Sequence, residues 1–136
     1  MKHHDSSEMY LKTILLLEIN KGEAHAKEIA EMLNVSKASV TKAINGLKLK
    51  GYVQQDNYGP IFLTDEGREI STSILYKQKL LIKYLEQELN LSSEEAEENA
   101  CRMEHIITDK MLHAIEEKIE SSIEDSMQFG LVDKGV

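Results

Sequence analysis

Proline occurs once and glycine seven times in 136 residues, so little in this chain is built to break a helix. With no low-complexity run and no convincing internal repeat, that scarcity points to compact, largely helical structure. A single cysteine, Cys101, excludes an internal disulfide framework and suits a reducing compartment, where a thiolate stays available as a ligand. No apolar stretch reaches the roughly 18 residues of a membrane span, and no charged-then-apolar leader precedes a small-residue cleavage site. A cytoplasmic protein is the expectation. At this length the chain can bury one ordinary core, or a small domain plus a helical appendage that needs a partner.

Positive charge is also in short supply, but unevenly. The formal net charge is −8. Residues 1–70 hold nine Lys/Arg against ten Asp/Glu, and residues 71–136 hold seven against fourteen, so the acidity belongs to the second half. Between Asn34 and Gln55 there is no acidic residue at all, while Lys37, Lys42, Lys48 and Lys50 give a local net of +4. A patch of that kind is what phosphate contact requires, because each neutralised phosphate releases condensed counterions.

The pattern of apolar and capping residues divides the chain. Ser6 or Ser7 caps a first helix, SSEMYLKTILLLEINK, with Met9, Leu11, Ile14, Leu15 and Leu17 as its apolar stripe and Gly22 as its stop. The run AHAKEIAEMLNVSKASVTKAINGLKLKGYV reads as a helix from about Ala26 to Leu33, a turn at Asn34 and Val35, and a second helix capped by Ser36 and ended near Gly51. Ile29, Ala30, Leu33, Val40, Ile44 and Leu47 supply its apolar face. Lys37, Ala38, Ser39, Thr41, Lys42 and Asn45 lie outward, slim enough for a major groove of about 12 Å and able to bond bases or phosphates. Of these, Lys37, Ser39, Thr41, Lys42 and Asn45 are the candidate DNA contacts. YVQQDNYGPIFLT then alternates around a turn at Asp56 to Pro60, as a two-stranded wing does. Helix, helix-turn-helix and wing make a winged helix, the expected fold of residues 1–64.

Residues 65–136 read as all helix. Thr64 caps a long helix from about Asp65 to Leu89, Ser92 with Glu95 forms a capping box, and Thr108 caps a last helix from about Asp109 to Met127. These helices are too few to enclose a separate core. They are expected to pack against the first helix and a second copy of themselves, as a homodimer. On the middle helix, in ENACRMEHIITDK, stand Cys101, Glu104 and His105 at offsets of three and four, so a thiolate, a carboxylate and an imidazole share one face and can converge on a divalent metal. The same residues also suit a small buried cysteine beside a solvated Glu–His pair.

SSEMYLKTI and ENACRMEHIITDKM, with the winged helix between them, resemble the metal-dependent repressors typified by the diphtheria toxin repressor, with the iron-dependent regulator and manganese transport regulator as relatives. The likeness runs over about residues 6–125. It implies a regulatory metal held by Met9, Cys101, Glu104 and His105; from the helix pattern alone, Met9 reads as core filler. In the manganese branch the position of Met9 is Asp, with Glu where this chain has Lys12. The family's ancillary site falls on Gln78, Ile82 and Glu97, and Ile82 cannot ligate, so that site is expected to be absent or badly weakened and one metal per subunit to bind tightly, with Glu97 either a vestigial ligand or a support to the ligands one turn on. The chain ends at Val136, so an SH3-like third domain is not expected.

Soft sulfur, borderline imidazole and hard carboxylate together suit Fe(II), Co(II), Ni(II) or Zn(II) better than Mn(II), Mg(II) or Ca(II). The resemblance makes Fe(II) the first choice and Mn(II) the runner-up, with Co(II), Ni(II) or Zn(II) in purified samples. The expected function is a metal-dependent repressor that binds operator DNA as a homodimer. Two alternatives are a winged-helix regulator answering manganese or a small organic ligand, and a metal-independent DNA-binding protein. No nucleophile with a partnered base, phosphate loop or H-E-x-x-H motif supports an enzyme. His3 and His4 read as a mobile, solvated end, and His25 and His113 have no assigned role.

Overall fold

A computed structural model describes residues 6–128, with side chains from 7 to 121; His3 and His4 lie outside the described residues. Six helices and one hairpin follow in the order α1 (Ser6–Lys21), α2 (Ala26–Leu33), α3 (Lys37–Leu49), β1 (Val53–Gln55), β2 (Ile61–Leu63), α4 (Asp65–Leu89), α5 (Ser93–Met103) and α6 (Asp109–Gln128). They form two compact units that divide within α4, between Leu75 and Tyr76.

In the first unit, local chemistry sets each boundary. Gly22 (φ 88°) and Asn34 (φ 55°) take the left-handed conformation that ends α1 and α2. The Ser36 hydroxyl accepts from the Ser39 backbone N–H and starts α3. Leu11, Ile14, Ile29, Val40, Ile44, Leu47, Val53 and Ile61 form the core, so α1, both helices of the helix-turn-helix and the wing share one apolar centre. β1 and β2 pair antiparallel with Gln54 opposite Phe62. The wing base is fastened to the α1–α2 connection, where the Ile61 N–H donates to the Ala24 carbonyl at 2.8 Å.

The start of α4 belongs to this unit. Thr64 caps it by accepting from the Gly67 N–H at 3.1 Å while its own hydroxyl donates to the Gly51 carbonyl at 2.7 Å. Gly67 is required here by close approach: a Cβ at that position would lie 2.0 Å from the Tyr52 carbonyl oxygen. Glu18 binds this region together, accepting from Arg68 at 2.8 Å and from the Leu63 N–H at 3.4 Å.

The second unit has a core of its own, contrary to the expectation that its helices are too few to enclose one. Leu81, Leu85, Ala96, Ala100, Ile115 and Ile119 are buried together. The reason is the size of the α5 residues: alanines at positions 96 and 100 let α5 approach α4 and α6 closely enough for six side chains to exclude water. Ser92 and Glu95 form the capping box of α5, and Thr108 caps α6 by accepting from the Met111 N–H. Tyr76 on α4 donates to Glu116 on α6, and that bond, with burial and the charges of Glu116 and Glu120, raises the phenol above its usual range.

Candidate metal centre and nucleic-acid interface

Cys101, Glu104 and His105 lie on one continuous turn, but α5 ends before the last two. Its last regular residue is Met103, and Glu104 is the C-cap, still in right-handed conformation at φ −60°, ψ −24°. The Glu104 N–H still reaches back four residues to Ala100, whereas those of His105 and Ile106 reach back three, to Arg102 and Met103. The turn tightens there, and the donor atoms of Glu104 and His105 lie within 4.8 Å of each other, a grouping that does not include Cys101.

Burial separates the three. Glu104 is 3% exposed, with Oε1 out of solvent, while Cys101 and His105 are half-buried. A buried carboxylate is held only where hydrogen bonds or a cation offset its lost hydration. Thiolate, imidazole and buried carboxylate on one turn therefore fit a divalent transition metal. Met9 lies in the first turns of α1 and is 36% exposed, so it is not core filler. Glu8 next to it is a half-buried carboxylate that the sequence reading passed over.

Of the three positions matching the ancillary site, Ile82 packs against the core of the second unit. Gln78 and Glu97 line a shallow groove with Glu94, Glu98, Cys101 and Arg102. This groove carries carboxylates, but Gln78 offers only an amide and Ile82 is not part of its lining.

On α3 the five candidate DNA contacts, Lys37, Ser39, Thr41, Lys42 and Asn45, are all exposed. Four of them fall on two flanks. Thr41 and Asn45, with Lys48, line a cleft of about 370 Å³ shared with the wing residues Gln55, Asn57 and Tyr58. Ser39 and Lys42, with Gly46 and Lys50, line a larger groove on the other side with Met9, Tyr10, Leu33 and Val35. Burial raises the Tyr10 phenol above its usual range. Ser39 is partly committed to the cap, since its hydroxyl accepts from Ser36 at 3.0 Å.

Residues 3–61 match the model of the iron dependent repressor N-terminal DNA binding domain, and residues 64–127 match that of the iron dependent repressor metal binding and dimerisation domain. The chain belongs to the iron-dependent repressor family. It is 34% identical over 111 residues to an uncharacterised HTH-type transcriptional regulator of Methanocaldococcus jannaschii, covering 81% of this chain and 89% of that one. It is 30% identical over 120 residues to the HTH-type transcriptional regulator MntR of Geobacillus kaustophilus, covering 88% and 84%. A solved manganese-dependent transcriptional repressor in complex with manganese superposes with a TM-score of 0.77 at 27% identity, over 84% of this chain. This chain spans about half of that one, 52%. Among the described residues no helix is long and apolar enough to cross a membrane.

Proposed function

We propose that this chain is a metal-responsive transcriptional repressor that binds operator DNA as a cytoplasmic homodimer. Residues 1–64 serve as the DNA reader and residues 65–136 as the metal-binding and dimerisation part. The observation that carries the reading is buried Glu104 on the same turn as half-buried Cys101 and His105. These three, with Met9 as the ligand supplied by the first unit, would hold one divalent metal per chain. Fe(II) is the metal of choice. Mn(II) is the second reading, favoured by the likeness to a manganese-dependent repressor and opposed by the two sulfur donors.

The regulation follows from linkage. A metal that takes ligands from both units favours whichever conformations let Met9 and Cys101 serve together, and operator DNA favours those that set two α3 helices in successive major grooves. Where the two selections agree, about 1–3 kcal/mol of coupling raises operator affinity roughly 5- to 150-fold. Lys37, Ser39, Thr41, Lys42 and Asn45 are the proposed DNA contacts, with lysines on phosphates and the shorter polar groups nearer bases. Exposed Ile106 and Met111 at the α5–α6 junction supply apolar surface for the second copy.

The test is a titration of each divalent metal into chelator-stripped protein under anaerobic conditions, with binding to a selected duplex read at each step. Fe(II) and Co(II) should activate binding more strongly than Mn(II). Binding that is equally tight in excess chelator would refute the reading in favour of a metal-independent or organic-ligand regulator.

A further inference from the structure

The groove on the flank of α3 away from the wing measures about 580 Å³, a size that suits a small organic molecule. Tyr10, Leu33, Val35 and Ala43 give it an apolar lining, and its only charged groups are Lys42 and Lys50. No carboxylate lines it, in a chain with 24 acidic residues. Among the described residues neither lysine is held in an ion pair. An apolar lining with a few convergent charges of one sign is how a protein receives an amphipathic ligand of the opposite sign. A sugar–phosphate strand gains little from such a lining, because its outer surface is polar and hydrated.

Gly46 supplies an independent observation on the same groove. It lies inside α3 without a positive φ, so no left-handed turn requires glycine there. A Cβ at Gly46 would meet nothing within 4 Å, so no neighbouring protein atom requires it either. A glycine in a helix interior is destabilising relative to alanine. What it provides is an opening: Lys42, Gly46 and Lys50 follow at four-residue steps along one face, with the lysines about 12 Å apart along the axis and bare backbone midway between them.

We infer that this groove is a binding site for a small amphipathic organic anion, an aryl or alkyl carboxylate whose apolar body covers Ala43 and Gly46 and whose charge meets Lys42 and Lys50. Ser39 and Lys42 line the same groove, so a bound anion covers groups that would otherwise reach DNA and neutralises part of their charge. The site therefore opposes operator binding, as an inducer site does. That effect on DNA rests on the reading of α3 as the recognition helix; binding of the anion does not.

Naphthoate is the probe, titrated calorimetrically into the full chain after chelator stripping, because Met9 also lines the groove and a bound metal could itself hold a carboxylate. Naphthoate should bind once per chain, and naphthol, the same ring system without the charge, about tenfold more weakly. Lys50→Ala should weaken naphthoate roughly two- to fivefold. Gly46→Leu should abolish its binding, while circular dichroism shows no loss of helix. On the Co(II)-loaded chain bound to a duplex selected by the wild type, naphthoate should displace the DNA, and Lys50→Ala should need correspondingly more of it. No binding by the wild type, naphthol binding as tightly as naphthoate, or undiminished binding in Gly46→Leu would overturn the site. Naphthoate bound to the chain while the duplex stays in place would overturn the inducer role. Since the binding arm uses stripped protein, failure of Co(II) to activate the chain would show separately, as a failure of the metal reading alone.

Discussion

Glu104 is the residue whose surroundings say most about the site. Its neighbours Arg102 and Ile106 are exposed, yet it is buried where α5 ends. With Cys101 and His105 half-buried on either side, removal of one donor should abolish activation without disturbing the fold. Cys101→Ala and His105→Ala are expected to lose metal-stimulated operator binding, a drop of roughly 5- to 150-fold at saturating metal. Circular dichroism and sedimentation should be unchanged; operator binding that still rises with metal in both variants would misplace the site. Met9→Asp exchanges a soft donor for a hard one and should move the activation ranking toward Mn(II). An unchanged ranking in metal titrations would remove Met9 from the ligand set. At this scale the sequence placed Cys101, Glu104 and His105 at offsets of three and four, a spacing that equally suits a small buried cysteine beside a solvated Glu–His pair. That Glu104 is buried and Met9 partly exposed was not legible there, since both depend on packing that helical periodicity alone does not describe.

Most helix boundaries could be read from the chain, because Ser36, Thr64, Ser92 and Thr108 each bond the backbone locally and need no tertiary partner. The end of α5 could not. The sequence suggests an unbroken helix through His105, and only the change from four-residue to three-residue backbone bonds after Glu104 ends it at Met103. Gly67 was equally silent, since a glycine in the first turn of a helix looks merely tolerated until the Tyr52 carbonyl is found against it. Gly67→Ala must push α4 away from the start of the wing, and overpacking of this kind costs about 1–3 kcal/mol. Thermal unfolding should show a clear fall in Tm. An unchanged Tm would mean that the backbone of α4 relaxes without cost and that this contact does not fix the wing.

Across the whole molecule, charge is divided as function would require. The acid-free stretch from Asn34 to Gln55 contains α3, and most of the net negative charge lies in the second half, where no contact with phosphate is proposed. The winged helix was legible because capped helices followed by a turn-centred hairpin can be read in that order along the chain. The separate core of the second unit was missed because Ala96 and Ala100 contribute closeness rather than bulk. That core leaves Ile106, 77% exposed, as apolar surface. If this surface meets a second copy, Ile106→Lys should shift the chain from dimer to monomer in sedimentation and weaken operator binding with it; a dimer of unchanged stability would place the interface elsewhere on the second unit.

The central claim is that metal held at Cys101, Glu104 and His105 controls DNA binding, and one titration tests it. Co(II) is added anaerobically to stripped protein in the presence of the selected duplex, with the cobalt–thiolate absorption and DNA binding recorded in the same sample. Both signals should rise together, saturate at one Co(II) per chain, and vanish together in Cys101→Ala. DNA binding already complete before any thiolate absorption appears, or undiminished in Cys101→Ala, would contradict the account.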